Sequence, residues 1–100
     1  MILVTAHVAV QPDRRDALQS ILTEVQAASR LDDGCEYYGY FDSIDEPNVI
    51  AAIEMWRDRD ALDAHLRQPH IAKLVEALGK YSAARPDIRA HTVTASGPLR

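Results

Sequence analysis

The stretch that decides the fold reads CEYYGYFD over residues 35–42 and VIAAIEMWR over residues 49–57, with DEPN between them at residues 45–48. Aromatic and β-branched side chains are enriched in strands, and an Asp-Glu-Pro-Asn run is typical of a turn. The stretch therefore predicts two strands that pair as an antiparallel hairpin.

The segment before the hairpin predicts one strand and one helix. Residues 2–10 are small, apolar and β-branched, which is typical of a strand. Residues 12–34 carry apolar side chains at three- and four-residue spacing, which predicts an amphipathic helix. We expect Gly34 to end it, because glycine tolerates the positive φ that a helix stop often requires.

The segment after the hairpin predicts two helices and a last strand. A short helix passes through residues 61–66, and Pro69 suits the first turn of a second helix. Residues 88–95 alternate well enough for a strand. The resulting order of strand, helix, strand, strand, helix pair and strand is that of the ferredoxin-like split βαβ arrangement. We therefore expect an α+β fold with a four-stranded antiparallel sheet and helices on one face.

Length and composition narrow the class of protein. The chain has 100 residues, which favours one domain, and we expect it over residues 1–96 with a tail at 97–100. A net charge of −4 without a basic stripe argues against nucleic-acid binding. The apolar N-terminal run is too short for a membrane span or a secretory signal. Cys35 is the only cysteine, which suits a reducing compartment and indicates a cytoplasmic protein.

A second copy of the chain is the expected partner. A chain this short has a thin core, and no disulfide can supplement it. One face of the predicted sheet lacks both helices and a clear polar finish. Packing against the sheet of a second copy would bury that face, so we expect a homodimer.

Side chains alternate between the two faces of a strand, and the alternation favours one sheet face with polar and aromatic groups. Its members are His7, Tyr38, Tyr40, Glu54 and Trp56. Apolar walls with a few placed polar groups are typical of pockets for small organic ligands. The aromatic residues could equally fill a thin core, and a one-residue register change would exchange the faces.

The helical junction ALDAHLRQPH at residues 61–70 holds two histidines. His65 follows Leu62 by three positions, which places it on the inward stripe of its helix. His70 lies in the first turn of the next helix. The two imidazoles could move a proton near neutral pH, or they could only cap backbone groups. Their spacing of five across a proline, with no adjacent third ligand, does not predict a metal site.

Four segments together resemble the antibiotic-biosynthesis-monooxygenase family, and within it the small quinol-monooxygenase-like proteins. They are DGCEYY at 33–38, EMW at 54–56, ALDAHL at 61–66 and PH at 69–70. The resemblance implies that two ferredoxin-like sheets pack into a dimeric α/β barrel. It also implies that O₂ oxidises a small electron-rich aromatic, a quinol or a polyketide-like phenol, without flavin, haem or metal.

Eight side chains are candidates for this site: the resemblance implies the roles of six, and the shared sheet face contributes His7 and Tyr40. The catalytic candidates, either histidine being the base, are His65, His70, Tyr38 and Glu54. The candidates for binding the substrate are His7, Tyr40, Trp56 and Ile71. Gln68 departs from the family, which often has Ser or Thr there as a helix N-cap, and we expect about 1 kcal/mol of lost local stability.

Two other functions stay open at this stage. The same His and Glu residues could shuttle a proton in an isomerase that acts on a small metabolite. A non-catalytic dimeric module could bind a small aromatic molecule without turnover. A shared scaffold is compatible with all three, because function depends on the site rather than on the fold.

Overall fold

The computed structural model describes residues 1–100 and contains one sheet and three α-helices. The elements are β1 (Ile2–Ala9), a 3₁₀ turn (Pro12–Arg14), α1 (Arg15–Ser29), β2 (Cys35–Asp42), β3 (Val49–Trp56), α2 (Arg59–Leu66), α3 (Pro69–Tyr81) and β4 (Asp87–Thr92). The strand order is β2-β3-β1-β4, and all neighbours are antiparallel. The predicted α+β, ferredoxin-like fold is confirmed. None of the helices combines the length and apolar character needed to cross a membrane.

The helices cover one face of the sheet and form the core with it. Val4, Ala6 and Val8 alternate as buried residues along β1, as expected for a strand with one covered face. Leu18 and Val25 of α1 are fully buried against this face. The core therefore lies between the sheet and the helices, and β1 contributes its even-numbered side chains to it.

The register between β1 and β3 determines which side chains share that face. Val4 pairs with Glu54, so Glu54 points toward the helices, whereas His7 pairs with Ala51. His7 is exposed on the opposite face. The prediction that His7 shares a face with Tyr38 and Glu54 is therefore wrong, because odd-numbered residues of β1 point away from the helices.

The end of the last strand and the register of β2 differ from the sequence-based expectation. The last strand ends at Thr92 rather than at residue 95. It pairs only with β1, and Thr92 already lies opposite Ile2, so a single further bond continues the pairing, from the Val93 N–H to the Met1 carbonyl at 2.9 Å. In β2, a register shift between Cys35 and Tyr37 places Cys35, rather than Glu36, on the helix-covered side.

The turn after α1 fixes the position of the residues before it. Gly34 has a φ of +80°, and a Cβ there would lie 2.5 Å from the Cβ of Ala61. The predicted positive φ is confirmed, but Gly34 does not itself end the helix, because α1 already ends at Ser29. The absence of a side chain at Gly34 lets the turn pack directly on α2. The backbone N–H of Arg57 donates to the Gly34 carbonyl at 2.8 Å. Residues 32–34 are thus held against the helix that carries His65.

Candidate functional site

A cavity of about 240 Å³ lies between the sheet and helices α2 and α3. Its walls are mostly apolar, and three of its side chains, Tyr38, Glu54 and His65, carry titratable groups buried in the interior. Leu66 and Val75 line it as well and are 51% and 63% exposed, so they mark the side open to solvent. This combination is characteristic of small-molecule sites.

His65 is held by a hydrogen bond at Nδ1 and by ring packing on one face, and its Nε2 is near Glu54 without a hydrogen bond. Its Nδ1 lies 2.7 Å from Oδ2 of Asp32, and its Nε2 lies 3.8 Å from Oε1 of Glu54. Its ring is tilted over Trp56 at a centroid distance of 4.2 Å. With 2% of the residue exposed, its orientation is determined by the fold.

The contact with Asp32 assigns the protons of the imidazole. A carboxylate only accepts hydrogen bonds, so the Nδ1–H of His65 donates to Asp32. Burial lowers the pKa of His65, and the hydrogen bond to Asp32 opposes that shift. In the neutral ring Nε2 therefore carries no proton and can accept one from a group in the cavity.

Glu54 is the second polar group of the cavity. Burial raises the pKa of Glu54, while a hydrogen bond from Trp56 opposes the rise. That bond runs from the indole Nε1–H to Oε1 at 2.9 Å. Trp56 is completely buried, so it fixes the carboxyl group instead of lining the cavity.

Tyr38 and Tyr40 form a hydroxyl pair with an O···O distance of 2.8 Å. Burial, with Glu54 nearby, raises the pKa of Tyr38 to about 12. Burial raises the pKa of Tyr40 as well. Both phenols therefore stay protonated at neutral pH, and one hydroxyl hydrogen of the pair remains free to donate.

The eight candidate residues occupy four different locations. Those that line the main cavity are Tyr38, Glu54, His65 and Ile71. Tyr40 lines a smaller adjoining space of about 50 Å³. Trp56 and His70 lie behind His65, in contact with its ring, while His7 is on the outer face of the sheet. The fold thus brings seven of the eight together and excludes His7.

Asp32 is the functional residue that the sequence reading missed. The sequence predicts only that Asp32 lies near the end of the helix that stops at Gly34, whereas its Oδ2 contacts His65 and also lies 2.9 Å from Nε2 of His70. Gln68 does not cap α3 through its side chain, and instead donates from its amide to Oδ1 of Asp32 at 3.2 Å. The departure at Gln68 therefore supplies a further contact to this carboxylate.

The sequence profile of the family described as Antibiotic biosynthesis monooxygenase matches residues 1–77. The chain belongs to the antibiotic biosynthesis monooxygenase family. Rv0793 of Mycobacterium tuberculosis, named as a candidate monooxygenase, is 35% identical over 69 residues, which cover 69% of this chain and 67% of that protein. YcnE of Bacillus subtilis, also named as a candidate monooxygenase, is 29% identical over 86 residues, which cover 86% of this chain and 90% of that protein.

Solved structures of the family have the same fold. The structure of Rv0793 superposes with a TM-score of 0.90 at 26% identity, covering 97% of this chain and 98% of that one. A family member from Deinococcus radiodurans superposes with a TM-score of 0.91 at 20% identity, covering 100% and 99% of the two chains. The second likeness concerns the fold alone.

Proposed function

We propose that this member of the family is a cofactor-independent monooxygenase that oxidises a small electron-rich phenol, a quinol in particular, with O₂. The observation that carries the proposal is the buried Asp32–His65 pair. It leaves an unprotonated Nε2 beside Glu54, at the wall of a mostly apolar cavity. Such a base removes a phenolic proton without metal or cofactor.

Proton removal is the step that the residues of this chain perform. The substrate hydroxyl donates its proton to Nε2 of His65, and the Asp32 carboxylate stabilises the imidazolium that forms. The electron-rich phenolate then passes an electron to O₂, and recombination forms a C–O bond at the ring. Cleavage of the O–O bond leaves one oxygen atom on a hydroxyquinone product, and the other leaves as water.

Glu54 and the tyrosine pair act on the substrate oxygens. Burial raises the pKa of Glu54, so its carboxyl keeps a proton to higher pH than a solvated one, and in that protonated form it would donate to an oxygen of the substrate. Tyr38 donates its hydroxyl hydrogen where negative charge develops, since its own pKa of about 12 keeps it protonated. Donors fixed in a dry site stabilise such charge better than water does.

The size of the cavity selects among aromatic substrates. Its volume of about 240 Å³ is below the roughly 300–1,000 Å³ of pockets for drug-sized ligands. A single-ring quinol suits that volume better than a tricyclic anthrone. We therefore expect turnover to fall as fused rings are added to the substrate.

We also propose that the protein works as a cytoplasmic homodimer. The sheet face without helices exposes Tyr37, Phe41 and Ile53 at 47%, 44% and 40%. Large apolar residues gathered on one face mark an interaction site, and the sheet of a second copy offers the same surface. Sedimentation velocity would test this, with a monomer at micromolar concentration as the contrary result.

Oxygen uptake by metal-stripped protein tests the proposed reaction. We expect saturable uptake with single-ring quinols, corrected for autoxidation in the absence of protein. A His65→Gln change should lower the rate roughly 10²–10⁴-fold, while His91→Gln, which removes an exposed imidazole, should not. Near-UV circular dichroism would check that both variants are folded. Uptake at the autoxidation rate, or an unaffected His65→Gln variant, would refute the proposal.

The 3.8 Å separation of His65 Nε2 and Glu54 Oε1 favours one alternative, an isomerase that moves a proton between two carbons. The two functions differ in their need for oxygen. Turnover under argon would identify the isomerase, whereas loss of turnover under argon supports the monooxygenase. Quenching of the fluorescence of Trp56 by a quinol without product in either atmosphere would indicate a binding module.

A further inference from the structure

On the side of the His65 ring away from the cavity, three donor atoms converge. They are Oδ2 of Asp32, Nδ1 of His65 and Nε2 of His70, and all lie within 4.8 Å of one another. The side chains of Asp32 and His65 are only 9% and 2% exposed, and that of His70 is 19% exposed. The cluster is therefore held inside the protein by the packing around it.

We propose that this cluster is a binding site for a divalent transition-metal ion, with Zn²⁺ as the reference ion. Two imidazoles and one carboxylate form a common zinc ligand set, with metal–ligand distances of about 2.0–2.2 Å. Tetrahedral ligands at that range lie about 3.3 Å from each other. The Asp32 oxygen is 2.7 Å and 2.9 Å from the two nitrogens, so those two contacts must lengthen by a few tenths of an ångström. The two nitrogens lie within 4.8 Å of each other and must come to about 3.3 Å, which a small rotation of the less buried His70 ring provides.

A second cavity gives an ion access to the cluster from solvent. It has a volume of about 200 Å³ and is lined by Asp32, His65 and Gln68, with the carboxylates of Asp33 and Asp60 alongside. Arg57 also borders it and pairs with Asp33 and Asp58, so Asp60 is the carboxylate at this entrance that has no cationic partner. Carboxylates at an entrance raise the local concentration of cations. The Gln68 amide covers the other Asp32 oxygen and must turn aside for a bidentate contact.

Metal binding at this site would change the state of the proposed base. An ion on Nδ1 of His65 takes the place of the proton there, so the neutral ring carries its proton on Nε2. The nitrogen beside Glu54 then donates a hydrogen bond and no longer accepts a proton. Zn²⁺ should therefore inhibit the oxidation, and this consequence rests on the proposed function whereas the binding does not.

Calorimetric titration with ZnCl₂ tests the binding in untagged, metal-stripped full-length protein. We expect one ion per chain with a dissociation constant in the micromolar range or below. A His70→Gln change should weaken binding by roughly 10–100-fold or more, and His91→Gln should leave it intact. No heat of binding with wild type, or equal affinity in wild type and His70→Gln, would overturn the proposal.

Nitrogen NMR of wild type keeps the test independent of any variant. Addition of Zn²⁺ should move the ring ¹⁵N resonances of His65 and His70 and leave those of the exposed His7 and His91 in place. The opposite pattern would overturn the site. Binding without inhibition of oxygen uptake would refute the effect on the base, while absent turnover with intact Zn²⁺ binding would refute only the proposed function.

Discussion

Replacement of Asp32 by Asn tests whether the charge of Asp32 orients His65 or whether the side chain only fills space. The carboxylate accepts from His65 at 2.7 Å, from His70 at 2.9 Å and from Gln68 at 3.2 Å. Asn has the same shape but no charge, so it weakens these contacts without opening a cavity. Charge-assisted hydrogen bonds contribute about 1.5–3 kcal/mol each and neutral ones about 0.5–1.5 kcal/mol.

The two histidine contacts thus lose about 2–3 kcal/mol on Asp32→Asn. Relief of the buried charge offsets part of this loss, which leaves a net destabilisation of about 1–2 kcal/mol. With a urea m-value of about 1–3 kcal/mol/M, the unfolding midpoint should fall by roughly 1 M. Trp56, the only tryptophan, reports the transition by fluorescence. Total protein concentration is held constant, since dimerisation would otherwise shift the midpoint.

Asp33→Asn provides the matched control at the next residue. The Asp33 side chain is 91% exposed and contacts only Arg57, at 3.4 Å, so the change in stability should stay within about 0.5 kcal/mol. In oxygen uptake, Asp32→Asn should lower kcat roughly 10²-fold with little change in KM, while Asp33→Asn should match wild type. Equal behaviour of the two variants would refute the assigned role of Asp32.

Three further perturbations test other parts of the account. Burial raises the pKa of Glu54 and so penalises its charged form in the folded state. In urea titrations, the stability of Glu54→Gln relative to wild type should therefore be lowest in acid, where the carboxyl is protonated in both states, and should rise as the pH increases above the ordinary carboxyl range. A pH-independent difference would contradict this. Gly34→Ala should lower the free energy of unfolding by about 2 kcal/mol or more and Tm by roughly 10 °C, because φ is +80° and the new Cβ would lie 2.5 Å from the Cβ of Ala61. The control Gly79→Ala has open space around it and should not lower Tm. Phe41→Glu should give monomers in sedimentation velocity at concentrations where wild type is dimeric, and an unchanged dimer would exclude this sheet face.

Local sequence signals were sufficient for the fold. The β-branched, small and aromatic composition of residues 2–10 and of the hairpin predicted the strands, because such side chains fit a half-buried pleated surface. Pro69 stands at the first position of α3, where its fixed φ and missing N–H cost nothing. These features depend on residues close in sequence, so tertiary packing did not override them.

The candidate site was only partly predictable, because its central contacts join distant residues. Asp32 and His65 are 33 positions apart, and they meet because Gly34 lets the intervening turn approach α2. Nothing in the local sequence around Asp32 distinguishes it from an ordinary helix stop. The predicted position of His7 was wrong for a related reason. The face on which it lies relative to Glu54 depends on the register of β1 against β3, and alternation within one strand does not determine that register.

The tautomer of His65 is the most direct test of the central claim, that its unprotonated Nε2 faces the cavity. Long-range ¹H–¹⁵N correlation spectra of metal-free protein at neutral pH distinguish protonated from unprotonated ring nitrogens. We predict a proton on Nδ1, hydrogen-bonded to Asp32, and a bare Nε2. A His65 ring that carries its proton on Nε2, or on both nitrogens, would have no free acceptor at the cavity and would contradict the proposed proton removal.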